Sequence, residues 1–175
     1  MRNRFDKELA SLHDLLIEMG TLSQQAIESA KDALLEQDVG KAARTHEFER
    51  EVDEREKEVE RRCLKLLLQQ QPVASDLRII STALKIITDL ERIADQACDI
   101  AELATYMAGQ KYIKKLVDIP LMADAATKMV KESIDAFVAR DIDLAQRVIA
   151  CDDTVDALFD QVKNDLIALI REDSA

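Results

Sequence analysis

The sequence predicts an all-α protein built as an internally repeated helical bundle, and three observations carry that prediction. Three glycines, two prolines, two tyrosines, four phenylalanines and no tryptophan occur in 175 residues. That composition starves a β-sheet of turns and aromatics and suits long helices. Apolar residues recur at alternating four- and three-residue spacing, the seam of helices packed nearly parallel to one another. Finally, a shift of 103 positions superimposes Ala33 on Ala136, Leu34 on Phe137, Asp38 on Asp141, Ala42 on Ala145, Glu49 on Asp152, Val52 on Val155 and Asp53 on Asp156. A helical unit that recurs in this way buries its face by stacking on another helix.

The first helix starts at Phe5 and carries a seam of Leu9, Leu12, Leu16, Met19, Ser23, Ala26, Ala30 and Ala33 until Asp38-Val39-Gly40 interrupts it. The second runs to about Gln70 with Phe48, Val52, Val59, Cys63 and Leu66 on one side and alternating charges on the other. Pro72 ends it, because proline lacks an N–H and restricts the residue before it. The third helix begins at Ala74 or Ser75 and extends to about Met107. Its seam of Ile79, Ala83, Ile86, Leu90, Ile93, Ala97, Ile100, Ala104 and Met107 is unbroken, so it is expected to be the best buried.

A basic, Lys-rich connector follows from Gly109 to Asp118. Pro120 fits the first turn of a fourth helix that reaches Ala139. Arg140-Asp141 makes a tight turn, and a fifth helix runs to about Arg171. The expected organisation is a three-helix unit over residues 1–108, a connector over 109–118, and over 119–175 a second unit with only two helices, a hairpin lacking its third.

Charge narrows the function. Acidic residues number 35 against 24 basic ones, a net charge of −11, so the summed field repels a phosphate backbone and nucleic acid is not an expected partner. No apolar run follows the amino terminus as a signal peptide would, and no stretch of membrane-spanning length exists; a cytoplasmic chain without membrane insertion is expected. Cys63, Cys98 and Cys151 are odd in number, lack Cys-x-x-Cys spacing and fall in helical patterns, so they read as reduced packing residues.

The acidic residues are not evenly spread. At about 100° per residue, Glu91, Asp95, Asp99 and Glu102 share roughly 80° of helix circumference. Leu77, Ile80 and Leu84 precede them on the same stripe, so an apolar meridian turns acidic halfway along the helix. The second helix has Glu49, Asp53, Glu56 and Glu60 beside its seam, and the fifth has Asp152, Asp156 and Asp160. Like charges four residues apart repel, and carboxylates at this spacing on facing helices can share a hard or borderline divalent ion. The plainer reading is solvated surface with weak ion pairs, since Arg50, Arg55, Lys57, Arg61 and Arg62 crowd the second helix.

Enzyme signatures are sparse. His13 and His46 are the only histidines, neither lies in a Glu-x-x-His pair, and there is no glycine-rich phosphate cradle. Binding and regulation are expected rather than catalysis. A carboxylate-bridged metalloenzyme or metal-storage bundle and a metal-free helical scaffold are the alternatives.

Gln-Gln-Pro-Val-Ala-Ser-Asp-Leu-Arg-Ile-Ile at 70–80 and Leu-Lys-Ile-Ile-Thr-Asp-Leu-Glu-Arg-Ile-Ala-Asp at 84–95 closely resemble the signature helix of the PhoU family, regulators of bacterial phosphate uptake. The likeness extends to Phe-Asp-Lys-Glu-Leu at the start, the helix around Asp53 and the repeated hairpin. It implies a PhoU-like fold of tandem three-helix bundles whose Glu/Asp-x-x-x-Asp motifs hold metal ions, Fe, Zn, Mn or Mg. Transferred residue by residue, it implies a first site at Glu49 with Asp53 and Glu91 with Asp95, aided by Asp99, and a second at Asp152 and Asp156. It also implies a negative regulator that docks on a phosphate ABC transporter and a sensor histidine kinase. Two departures stand out. Ala94 replaces the family's usual glycine, which should tighten packing, and the family's sixth helix has no counterpart up to Ala175. The fourth and fifth helices then offer Ala126, Met129, Val130, Ile134, Phe137, Val148, Val155, Phe159, Val162, Leu166 and Leu169 without a covering helix, and a homodimer is expected to close that groove.

Overall fold

Long runs of strong helix formers leave few places for the backbone to break, and the breaks fall where the local chemistry requires them. The computed structural model describes residues 2–70 and 73–173. Among these are five helices and no strand: α1 (Arg2–Glu36), α2 (Val39–Gln70), α3 (Ala74–Tyr106), α4 (Asp118–Ala139) and α5 (Ile142–Asp173). The break expected at Gln71-Pro72 lies outside the described residues. No helix among those described is long and apolar enough to cross a membrane.

The two hairpin turns are built alike. Gln37 and Arg140, 103 positions apart, both adopt the left-handed conformation, with φ of 54° and 56°. This reversal lets the next amide reach back: Asp38 N–H donates to Ala33 O at 3.1 Å and Asp141 N–H to Ala136 O at 2.9 Å, closing each preceding helix. The same aspartates then cap the following helix. Asp38 Oδ1 accepts from the amides of Gly40 at 2.7 Å and Lys41 at 3.2 Å, and Asp141 Oδ1 from that of Leu144 at 2.9 Å. Replacing either aspartate by alanine leaves helix-end amides without their acceptor. Asp38→Ala and Asp141→Ala are each expected to cost about 1 kcal/mol in denaturant unfolding.

The chain divides into two compact units, residues 1–108 and 109–175. In the first, α1, α2 and α3 pack on one another pairwise. Leu12, Leu16, Met19, Val52, Val59, Ile80 and Ala83 are fully enclosed. Toward one end the core narrows to Ala26, Ala30, Ala33, Ala42, Ala97, Ala101 and Ala104, with Leu34 and Phe48 laid against it. Such small side chains let three helix axes approach closely. Ser23 is buried and bridges helices, its Oγ donating to Met19 O at 3.0 Å and more weakly to Leu90 O at 3.4 Å.

The face that α3 buries differs from the expected seam. Ala83, Leu90, Ala97 and Ala104 are buried, but Ile79, Ile86 and Ile93 are only half-buried and Ile100 is exposed. Ile80, Ile87, Ala94 and Ala101 take the enclosed places instead. The Ile79–Ile100 and Ile80–Ala101 lines repeat alike and flank Ala83, Leu90, Ala97 and Ala104 on opposite sides, so the choice between them is set by how α3 is turned against α1 and α2.

The second unit is an α4–α5 hairpin with a thinner core. Val130, Ile134, Ala136 and Val148 are buried, whereas Ile149, Phe159, Leu166 and Ile170 on α5 are exposed. Matching positions of the repeat show what a third helix contributes. Val52, Val59 and Cys63 are fully enclosed in the first unit, whereas their counterparts Val155 and Val162 are half-buried and Leu166 is exposed.

Candidate functional site

The acidic stripes of α2 and α3 lie at the edge of the packed seam, so folding the two helices together brings their carboxylates into one field. Glu49 is half-buried, and its pKa is raised above 4.5 by that partial burial first and then by Asp53 on its own helix and Asp95 across on α3. Glu56 is raised by burial, then by Asp53, Glu60 and Asp95. Glu91 is raised by burial, then by Asp95 and by Glu56, Asp53 and Glu49 of the facing helix. Repulsion across the helix pair thus disfavours the charged forms of Glu49, Glu56 and Glu91.

The basic residues of α2 mostly serve elsewhere. Arg55 Nη2 pairs with Glu18 of α1 at 2.8 Å and Arg55 Nη1 with Glu58 at 3.5 Å. Arg62 holds Glu58 at 2.7 Å and donates to Ser11 Oγ of α1. Arg44 lies over the Phe48 ring at 5.3 Å. Lys57 does reach the cluster, through Asp53 Oδ2 at 3.7 Å, a long and exposed pair. On α3, Lys85 and Arg92 both turn to Asp89, at 2.7 and 3.8 Å, rather than to Glu91 or Asp95.

Of the residues singled out from sequence, Glu49, Asp53, Glu91 and Asp95 are thus brought into one field. Asp99 is exposed and accepts from Gln96 Nε2 at 3.3 Å. Asp152 and Asp156 are exposed on α5, beside the exposed Phe159. Within their unit α5 packs on α4, whose Glu132 and Asp135 each pair with a lysine one turn away, at 3.8 and 2.6 Å.

Glu56, already on the stripe read from the sequence, joins this field, and Cys98 borders it. Glu56 lies one turn beyond Asp53 on the same stripe, and its spacing was the available signal. Cys98, buried on α3, sits between the core and the acids; burial first, then Glu49, Asp95, Glu102 and Asp99, push its thiol up to about 12. Periodicity could only mark it as a core residue.

The donors are carboxylate oxygens of high negative charge density, offset in part by His46 and Arg50 near Glu49 and by Lys57 near Asp53 and Glu56, and their chemistry fits a divalent ion. As the side chains lie, no group of three or more His, Cys, Asp or Glu among the described residues is close enough to enclose one. The field is open, and an ion would have to draw flexible glutamate and aspartate side chains inward by rotamer change.

Comparison with known proteins follows this geometry. A family model described as the PhoU domain matches residues 16–104 and 119–175. The chain is 37% identical over 175 residues to a phosphate-specific transport system accessory protein PhoU homolog of Clostridium acetobutylicum, covering 99% of this chain and 80% of that protein. It is 38% identical over 167 residues to the Aquifex aeolicus protein of the same description, covering 95% and 76%. A crystal structure of PhoU from Pseudomonas aeruginosa superimposes with a TM-score of 0.91 at 32% identity, over 97% of this chain and 82% of that one.

Proposed function

Because this chain belongs to the PhoU family, we propose that it is a non-catalytic regulatory accessory protein of phosphate transport, acting by surface docking in the cytoplasm. The finer reading is a negative regulator that contacts a phosphate ABC transporter and a sensor histidine kinase. An acidic face, negative in a chain of net charge −11, attracts basic surfaces on such partners. Co-purification of the tagged chain with each membrane component tests the partners, and a chain that retains neither would refute them.

The observation that carries the metal part of this proposal is the mutual repulsion of Glu49, Asp53, Glu56, Glu91 and Asp95 across α2 and α3. A bound Fe, Zn, Mn or Mg ion supplies positive charge that relieves this crowding and tethers the two helices. Glu49 and Asp53 would hold it from α2, Glu91 and Asp95 from α3, with Glu56 at the margin. Elemental analysis after gentle purification should find metal in the wild type and little in Glu91→Ala/Asp95→Ala. Equal contents would favour a metal-free scaffold.

The exposed apolar side chains of α5 favour self-association, with a second copy laid on the α4–α5 hairpin. Sedimentation at micromolar concentration is expected to show a dimer that Phe159→Glu/Ile170→Glu disrupts. A wild-type monomer under those conditions would remove this part of the proposal.

A further inference from the structure

The connector between α3 and α4 is a basic stretch in an acidic chain: three lysines and no acid stand between Gly109 and Val117. One of them is used within the unit, where Lys114 Nζ pairs with Asp165 and ties the segment to α5. Lys111 and Lys115 are exposed and have no ion-pair partner among the described residues. Between them Ile113 is 89% exposed, more than any other large apolar side chain described, and Val117 is 61% exposed. An apolar side chain held out between two unpaired cations fits a surface that is apolar and anionic at once. Such a surface lies on the same unit. At about 100° per residue, Ile149, Asp152, Asp156 and Phe159 share about 80° of the circumference of α5. All four are exposed, and neither aspartate has an ion-pair partner among the described residues. Within a single chain the two sets do not pair with each other.

We infer that the connector of one copy docks on this face of α5 in a second copy, Lys111 and Lys115 meeting Asp152 and Asp156 while Ile113 packs against Ile149 and Phe159. Every copy carries both surfaces, so a two-fold axis makes the contact twice. Two chains of net charge −11 repel each other, and a contact between opposite charges is the one that this repulsion disfavours least. The inference rests on the self-association proposed above and names the element of the second copy that lies on α5.

A charge exchange tests it, read by sedimentation of the full chain at micromolar concentration. Lys111→Glu/Lys115→Glu sets acid against acid, and Asp152→Lys/Asp156→Lys sets base against base. Each alone is expected to dissociate at least about tenfold more readily than wild type. Mixed in equal amounts, the two variants restore both contacts and form a heterodimer of wild-type strength. A wild-type dimer that Lys111→Glu/Lys115→Glu leaves intact overturns the role of the connector and leaves self-association through α5 standing. That variant alters only exposed side chains outside the helices, so it decides this point even where the α5 variant folds poorly. Variants that weaken the dimer and do not recover on mixing overturn the pairing of these two surfaces. A wild-type monomer overturns both the inference and the reading on which it rests. Vesicles of phosphatidylglycerol and phosphatidylcholine offer the rival occupant: a wild-type chain that sediments with them as a monomer assigns the connector to a lipid surface and overturns its docking on α5.

Discussion

Divalent metal at a hundred times its dissociation constant is expected to raise the unfolding free energy of the wild-type chain by about 2.7 kcal/mol, the linkage gain for a ligand that binds only the folded state. Glu91→Ala/Asp95→Ala should gain nothing. The effect comes from assembly: only the folded first unit holds α2 and α3 side by side, so only there do Glu49, Asp53, Glu56, Glu91 and Asp95 share one field. Without metal the same field is a liability with a defined pH dependence. Glu49, Glu56 and Glu91 have folded-state pKa values raised above 4.5. Just above that value the native chain therefore holds more protons than the unfolded one, and the contribution of these groups to stability falls as pH rises through their raised values. In chelator, Glu49→Gln/Glu56→Gln/Glu91→Gln should gain stability relative to wild type as pH rises from 4.5 toward neutrality. Thermal unfolding across that range measures it. A variant that loses ground with rising pH would mean that the carboxylates are stabilised, not crowded.

The second large effect separates the two units at one position of the repeat. Leu66 and Leu169 are the same residue 103 positions apart, but Leu66 is 2% exposed in a three-helix core and Leu169 is half-buried in a hairpin. Leu66→Ala is expected to cost about 3 kcal/mol, lost burial plus a cavity that α1 and α3 prevent from collapsing. Leu169→Ala should cost less than about 1.5 kcal/mol, because part of its surface is already wet and its neighbours can close in. Denaturant unfolding monitored by hydrogen exchange in each unit resolves the two. Equal costs would mean that something covers α5 in solution, and their divergence on dilution would identify a second copy as that cover.

Helices, turns and repeat were legible because their causes are local. Asp38 and Asp141 cap whichever helix follows them, and Gln37 and Arg140 close the preceding one by a conformation of a single residue. The seams of α1 and α2 were also readable, since Leu12, Leu16, Met19, Val52 and Val59 stand at spacings that only one helix face satisfies. The resemblance to the PhoU family rested mainly on two neighbouring stretches at 70–80 and 84–95 and needed no fold to be recognised.

Other features depended on how helices are placed against each other. Which of Ile79 or Ile80 enters the core was a question of how α3 is turned against its two neighbours, and heptad counting fits either line. The acid stripes were visible from spacing, but that Glu49 meets the charge of Asp95 and that Arg55 turns to Glu18 are consequences of packing. The sequence by itself therefore determined the helices, their ends, the duplication and the residues able to bear charge at the seam. Only the tertiary structure decided which of those charges meet, because turns and amphipathic faces are set by residues within a few positions of one another. A field between two helices is set by their rotation and offset, which the buried side chains of the whole unit fix together.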